Sequence, residues 1–559
     1  MNTNHAAKPP FELFALLLTC TIFVFSIQIC FRGIPYSDEA YYYLLARTKD
    51  NITIGLAGSL ARFVSFNTSS LVNFRLSGLF LLVMSASYIG WGYRKYAHSL
   101  GIRSGTAMPF SVCIISALLY GSSINFSPSY NLLTSAGMNI LVGSLLAVAG
   151  SNTNLVRNLN IILASVGVTL IVLTKPQSGL LLFLVSAIFI ATSTSGHRST
   201  YAIFFTVITC SVTLLIIQTF GGAEKFLNQQ LFVYSLYKSA ISNSFTSMAT
   251  DYLRGIIELL KLGLAMPFTL MWFFAKKFHW VIFPIFVIEN VSRTWFLGKT
   301  IEPFLSILIV IMVTALVHPR EAVSRNWQHA ATILFLFVAP LTLAFASTND
   351  VVSMTRIFLA PWGMCAVFLV KLLIQPKCLT WCYALLCLFC LCAVTQFINV
   401  NLKDPYQTAD FLVNENIKVD TETMGVVWVS SGTVDYLLEA NKARAVCGFG
   451  PGERSVATFH NPGIALALNT NPVVSPWINN NLQLRQILSY QRWMPGTPLV
   501  VALQVRYGGS IYKSIDIPGF PQNFKYCGSV TYPFAQQTSF IYFHSGKEPS
   551  LRLTYTILK

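Results

Sequence analysis

Long apolar runs follow one another from about residue 11 to residue 397, separated by short polar breaks, and after residue 400 the pattern changes to brief alternating stretches and turns. A helix that crosses a bilayer needs about 20 apolar residues. Segments near 11–31, 71–91, 107–124, 132–150, 159–173, 179–193, 200–217, 254–275, 280–293, 302–317, 328–346, 357–372 and 379–397 meet or approach that length. The pattern predicts an α-helical polytopic membrane region of about thirteen transmembrane helices over residues 1–398, with long loops at 32–70 and 218–253. Residues 399–559 read as a soluble, mixed α/β domain, with a helix around 408–416 and strand-like runs at 425–429, 499–505 and 551–557.

Composition agrees with this division. Hydrophobic residues make up 54% of the 559-residue chain and charged residues only 11%, more apolar surface than a soluble core hides. The formal charge of +17 is not a nucleic-acid signature, because only three of those charges belong to the tail and no basic stripe interleaved with aromatic rings occurs there. The rest lie in short loops beside apolar runs, which is the pattern of membrane topology. Basic density favours a cytoplasmic N-terminus, and an odd number of spans then places residues 399–559 on the outer side together with the 32–70 loop. The first apolar run lacks a small-residue cleavage pattern and reads as a retained helix.

Ten of the twelve cysteines lie in or beside apolar runs, where they act as small buried hydrophobes. Cys447 and Cys527 stand alone in the tail and would pair in an oxidising compartment. Gly448, Gly450 and Gly452 form a glycine-rich turn without the lysine and hydroxyl residue of a nucleotide-binding loop.

The candidate chemistry starts just after the first apolar run, where Tyr36, Ser37, Asp38 and Glu39 are followed by Ala40, Tyr41, Tyr42 and Tyr43. Ser37 is placed to cap a helix that begins with the two acids, a favourable use of negative charge at a helix start. A carboxylate held near lipid headgroups also gains proton affinity from reduced solvation, so Asp38 is a candidate base toward an incoming hydroxyl or amine. Two adjacent acids are in addition a candidate seat for Mg or Mn, although hard cations take six or more oxygen ligands and no further set is visible. Lys175, between two spans with almost no loop, and Arg356, at the start of another span, are candidate partners for a phosphate. The run 125–131 reads as a polar outer turn in which Tyr130 and Asn131 reach the surface that carries Asp38; with Tyr36 and Tyr42 they are candidate contacts to a polyhydroxylated substrate. Acid, lysine and arginine on one membrane face suit group transfer away from a phosphate, so the substrate is expected to be a lipid-linked phosphate.

The acid pair at the opening of the first outer loop resembles that of the GT-C superfamily of membrane glycosyltransferases, and within it the bacterial lipid A aminoarabinose transferases and the protein O-mannosyltransferases. Leu173, Thr174 and Lys175 are similar to that family's Leu-Thr-Lys-Gly segment, with Pro176 standing where glycine is common. The resemblance implies that Asp38 is the catalytic carboxylate, that Glu39 assists the acceptor or a bound metal, and that Lys175 lies near the donor phosphate. It also implies an inverting transfer of a sugar from a polyprenyl-phosphate or diphosphate donor to a membrane-associated lipid, glycan or protein acceptor, on the periplasmic face of a bacterial inner membrane. Two triplets, beginning at Asn51 and Asn67, have the N-glycosylation pattern, but the architecture favours the bacterial setting. The competing reading is a transporter or flippase for lipid-linked glycans, which would bring internal repeats and ionisable groups at mid-membrane depth.

Overall fold

The computed structural model describes residues 9–48, 55–66, 70–102, 107–151, 153–193, 198–238, 245–264, 279–297, 301–317, 327–345, 350–374, 378–403, 405, 414–458, 461–473, 475–478, 480–490, 497–505, 515, 517–533 and 537–546. Both glycosylation triplets, the strand expected at 551–557 and most of the helix expected at 408–416 fall outside these residues.

The apolar runs form helices α1 (Pro9–Cys30), α4 (Leu71–Ser99), α5 (Ala107–Leu118), α6 (Tyr130–Ala149), α7 (Asn154–Thr174), α8 (Pro176–Ser193) and α9 (Arg198–Thr219). After them come α11 (Phe245–Leu264), α12 (His279–Leu297), α13 (Glu302–Val317), α14 (Trp327–Ala344), α15 (Val351–Ile357), α16 (Ala360–Phe368) and α17 (Leu379–Lys403). Between α1 and α4 lie two short helices, α2 (Asp38–Arg47) and α3 (Ala57–Val64); α10 (Ala223–Lys238) follows α9. Helices α4, α6 and α7 pack side by side, α1 and α17 flank α5, and α14 rests on α8 and α16.

Among the described residues eight helices are long and apolar enough to span a bilayer, or nine if the bent pair α15–α16 is one span, beside about thirteen expected over the whole chain. Three segments carry features that a count of apolar residues does not register. The pair α15–α16 turns by 74° at Phe358 and Leu359, ahead of Pro361, where a straight span was expected. The described part of the 254–275 segment belongs to α11, which presents Asp251, Arg254, Glu258 and Lys261 along one side, one per turn. In α12, Arg293 pairs with Glu289 and with Glu302 of α13, which a simple count of apolar residues overlooks.

The C-terminal region is a mixed α/β domain. Strands β1 (Ile417–Thr421) and β2 (Gly425–Val429) form an antiparallel hairpin, and β3 (Arg454–Ala457), β4 (Asn471–Pro472), β5 (Leu499–Val505), β6 (Lys525–Tyr532) and β7 (Gln537–His544) form a sheet of order β4-β3-β5-β7-β6. Pairing is parallel on both sides of β3 and antiparallel from β5 to β6. Helices α18 (Ser431–Cys447), α19 (Gly463–Ala467) and α20 (Asn481–Tyr490) cover it, and the glycine-rich turn begins as the left-handed C-cap of α18 at Gly448.

The domain and the first loop share one apolar core, in which Ile34, Tyr36, Tyr43 and Phe74 pack with Val427, Tyr436, Ile464 and Tyr532. The chain after α1 joins the hairpin: Gly33 N donates to Trp428 O at 2.8 Å, and Trp428 N to Phe31 O at 2.9 Å. Helix α10, inside the segment expected as a long loop at 218–253, turns Phe232, Val233 and Leu236 onto the domain, with the Phe232 ring 4.2 Å from that of Tyr490. Leu227, Leu231 and Tyr234 stay exposed on another face.

Cys447, at the end of α18, forms a disulfide with Cys527 on β6 across 80 residues of sequence. Closing a loop of that length restricts the unfolded chain, so replacing both cysteines with serine is expected to cost the domain about 2–4 kcal/mol. A melt of the C-terminal domain within the intact protein, followed with and without reductant, reads this; coincident curves would contradict it.

Candidate functional site

Helix α2 begins at Asp38 as the sequence implies, with Ser37 at the cap position and Tyr41 N donating to Ser37 O at 2.9 Å, although the serine side chain makes no capping bond. Adjacent residues on a helix point about 100° apart, so the two acids part company at once. Glu39, Tyr43 and Arg47 lie on one side, where the Tyr43 hydroxyl and the Arg47 guanidinium both donate to Thr423 O, at 2.8 and 2.6 Å. Asp38, Tyr41 and Tyr42 lie on the other, and Asp38 is half-buried.

Glu39 is buried and saturated. Arg75 grips it with both forks, Nε to Oε1 and Nη2 to Oε2, each at 2.6 Å. Asn125 Nδ2 donates to Oε2 at 2.7 Å, and the Ser127 hydroxyl donates to Oε1. The remaining nitrogen of Arg75, Nη1, donates to the carbonyls of Cys30, Arg32 and Gly33 at 3.4, 2.5 and 3.1 Å. One ion pair thus fastens the end of α1, the start of α2, the second turn of α4 and the chain ahead of α6. Gly78, one turn beyond Arg75, makes this approach feasible: a Cβ there would lie 1.9 Å from Phe126 O.

Neither Arg75 nor the pair Asn125 and Ser127 was singled out from the sequence. The signal that was there to be used is an arginine inside an apolar run, because such a charge needs a partner. The run 125–131, read as an outer turn, has two destinations: Asn125 and Ser127 serve Glu39, while Tyr130 and Asn131 open α6, whose N-cap Ser129 accepts from Leu132 N at 3.1 Å. Asn131 is buried and its Oδ1 accepts no hydrogen bond among the described residues.

Lys175 sits in the corner between α7 and α8, buried to 8% exposure. Its ammonium donates to Leu343 O near the end of α14 at 2.5 Å and lies 5.9 Å from the centre of the Phe358 ring, at the bend between α15 and α16. Arg356, also buried, belongs to the last turn of α15, two residues before that ring. The first loop reaches the same corner: Leu56 N, leading into α3, donates to Leu173 O at 2.8 Å. Gln230 of α10 accepts from Gly55 N at 2.8 Å and holds the junction from the other side.

Burial pushes the Lys175 ammonium down from its ordinary 10.5 to about 7. Between those two values the unfolded chain binds the proton and the folded chain does not, so this group's contribution to stability rises with pH there; below about 7 the full cost of burying the charge is present. Lys175→Met is therefore expected to melt above the parent at pH 6, with the gap smaller at pH 9. Melting curves in detergent at the two pH values test this, and a gap that widens with pH would contradict it.

The tyrosines occupy different environments. Tyr36 is stacked on Tyr532 of β6 with centroids 3.6 Å apart and rings 12° from parallel, and its hydroxyl accepts from Gln504 Nε2 at 3.3 Å. Burial holds its phenol well above the ordinary range. Gly463, at the start of α19, abuts the same residue: its N donates to Tyr36 O at 2.8 Å, and a Cβ would lie 2.6 Å from that oxygen. Tyr36 is thus a docking residue for the C-terminal domain. Tyr42 is buried beside Tyr130, 5.8 Å between ring centroids, and Tyr41 meets Trp477 of the C-terminal domain at 5.9 Å.

A cation bridging Asp38 and Glu39 would have to displace Arg75, Asn125 or Ser127 from the Glu39 carboxylate, so the pair does not fit the metal seat expected of it. Among the described residues no three histidine, cysteine or acidic side chains converge elsewhere.

No family model and no curated protein matches the sequence. Solved structures similar to the chain include the oligosaccharyltransferase of Archaeoglobus fulgidus in complex with Zn and sulfate, at 11% identity and TM-score 0.47 over 88% of this chain and 68% of that one. ArnT from Cupriavidus metallidurans in the apo state is similar at 11% identity and TM-score 0.41, over 94% of this chain and 97% of its own. AglB from Archaeoglobus fulgidus, in complex with an inhibitory peptide and a dolichol-phosphate, is similar at 10% identity and TM-score 0.42, over 88% and 69%.

Proposed function

We propose that the chain is an inverting glycosyltransferase that moves a sugar from a polyprenyl-phosphate or diphosphate donor to a membrane-associated acceptor, working in a bacterial inner membrane with its C-terminal domain periplasmic. One observation carries the reading: the loop that bears the half-buried Asp38 is hydrogen-bonded through Leu56 to the last turn of α7, which presents the buried Lys175. The loop that carries the carboxylate is thereby joined to the helix end that carries the ammonium. Asp38 takes the proton of the acceptor hydroxyl or amine as it attacks the anomeric carbon. The bond from that carbon to the phosphate oxygen breaks with inversion, and the electron pair leaves with the phosphate. Lys175 and Arg356 stand in place before negative charge builds there, which lowers the barrier because no reorganisation is needed at the moment of reaction. Glu39 takes no chemical part and fixes α2.

The test is purified protein in proteoliposomes with a radiolabelled polyprenyl-phosphate sugar and an extract of envelope acceptors. Transfer to the extract supports the reading. Movement of the labelled lipid between leaflets without transfer would favour translocation instead.

A further inference from the structure

Asp38 shares its side of α2 with Tyr41 and Tyr42, and those rings do not stand alone. Trp477, between β4 and α20, meets Tyr41 edge to face at 5.9 Å; Tyr41 meets Tyr42 at 5.0 Å; Tyr42 meets Tyr130 of α6 at 5.8 Å. Four rings therefore form one continuous row, from the C-terminal domain, past the helix start that carries the candidate base, to the first turn of α6. Tyr42 is buried, whereas Trp477, Tyr41 and Tyr130 are each half-buried, which a row of core residues would not be.

We propose that this row is the acceptor-binding surface and that the acceptor is a carbohydrate, with Trp477 of the C-terminal domain as one of its contacts. The proposal rests on the glycosyltransferase reading and adds the class of acceptor. Sugar rings have an apolar face of C–H groups and a rim of hydroxyls. Aromatic faces complement the C–H face, and the polar edges of phenols and an indole suit the rim of hydroxyls. An acyl chain would be matched by aliphatic side chains, and three phenols and an indole are a poor lining for it. A basic peptide would be matched by several acids, and this side of α2 has Asp38 alone, Glu39 being turned away into its ion pair. The C-terminal domain thereby takes part in recognition as well as in packing.

The test uses the full-length protein in nanodiscs on an array of purified bacterial envelope oligosaccharides, beside an array of Ser- and Thr-containing peptides and vesicles of phosphatidylethanolamine and phosphatidylglycerol. Binding to at least one oligosaccharide is expected, weakened about tenfold or more by Trp477→Ala and by Tyr41→Leu, and kept within about threefold by Trp477→Phe, which preserves a ring. The rescue by Phe, with unchanged melting, separates a stacking contact from a packing defect, and Tyr41→Leu stands in if Trp477→Ala fails to fold. Asp38→Asn is expected to bind the oligosaccharide like the parent, so loss of transfer with intact binding tests the base independently of the surface. Binding unaffected by both Trp477→Ala and Tyr41→Leu, binding to peptides or vesicles alone, or no oligosaccharide bound would overturn the proposal.

Discussion

Asp38→Asn is expected to lower sugar transfer from a polyprenyl-phosphate donor by about a thousandfold, within the range of roughly 10²–10⁴ that a positioned general base supplies. The substitution keeps the shape of the side chain and removes only its capacity to take a proton. The fold should tolerate it: Asp38 is half-buried at the first position of α2, where loss of its charge costs a helix start about 0.3–1 kcal/mol. Initial rates at saturating donor and acceptor, measured alongside a melt, read the two effects separately. A variant that melts like the parent and transfers within a few-fold of it would remove Asp38 from the mechanism.

The second large effect belongs to Arg75. Arg75→Met leaves the Glu39 carboxylate buried with only Asn125 and Ser127 for company, and breaking a buried pair by removing one partner costs about 3–5 kcal/mol. It also leaves the Cys30, Arg32 and Gly33 carbonyls without their shared donor. The expected result is a protein that inserts but melts early, its first loop open to protease. Adding Glu39→Gln should recover part of the loss, because the stranded charge is gone while an acceptor for Asn125 and Ser127 remains. Melting and limited proteolysis of the two single variants and the double variant give the coupling. Equal melting of Arg75→Met and the parent would show that the pair does not hold the loop.

Apolar runs in the sequence were sufficient to locate the membrane helices, because each is buried or lipid-facing through its own composition. Features that are periodic or local were not visible in them: one charge per turn along α11, and the bend at Phe358 and Leu359 ahead of a proline. Strands β2 and β5 were legible because each is a short run rich in branched residues that ends at a polar residue, Ser430 or Arg506. The acid pair was legible as a pair, but its division of labour was not. That division follows from a helix that begins at Asp38 and from an arginine 36 residues after Glu39, with Asn125 and Ser127 further still. Tyr36 shows the same limit. Its stacking partner, Tyr532, and its hydrogen-bond donor, Gln504, lie in another part of the chain, and nothing local announces them.

The separation between Tyr36 and Gln504, 468 residues, also bears on how the protein is made. The loop that carries Asp38 emerges from the ribosome early, and its ion-pair partner on α4 follows soon after. Its partners Gln504 on β5 and Tyr532 on β6 are translated near the end. Until then Tyr36 has no ring to lie against, and the apolar side of the loop waits at the bilayer edge. Long-range contacts of this kind form slowly because the chain must close a large loop before they reward it. A nascent chain stopped before Tyr532 would contain every candidate catalytic residue and still lack the contact that seats the first of its loops.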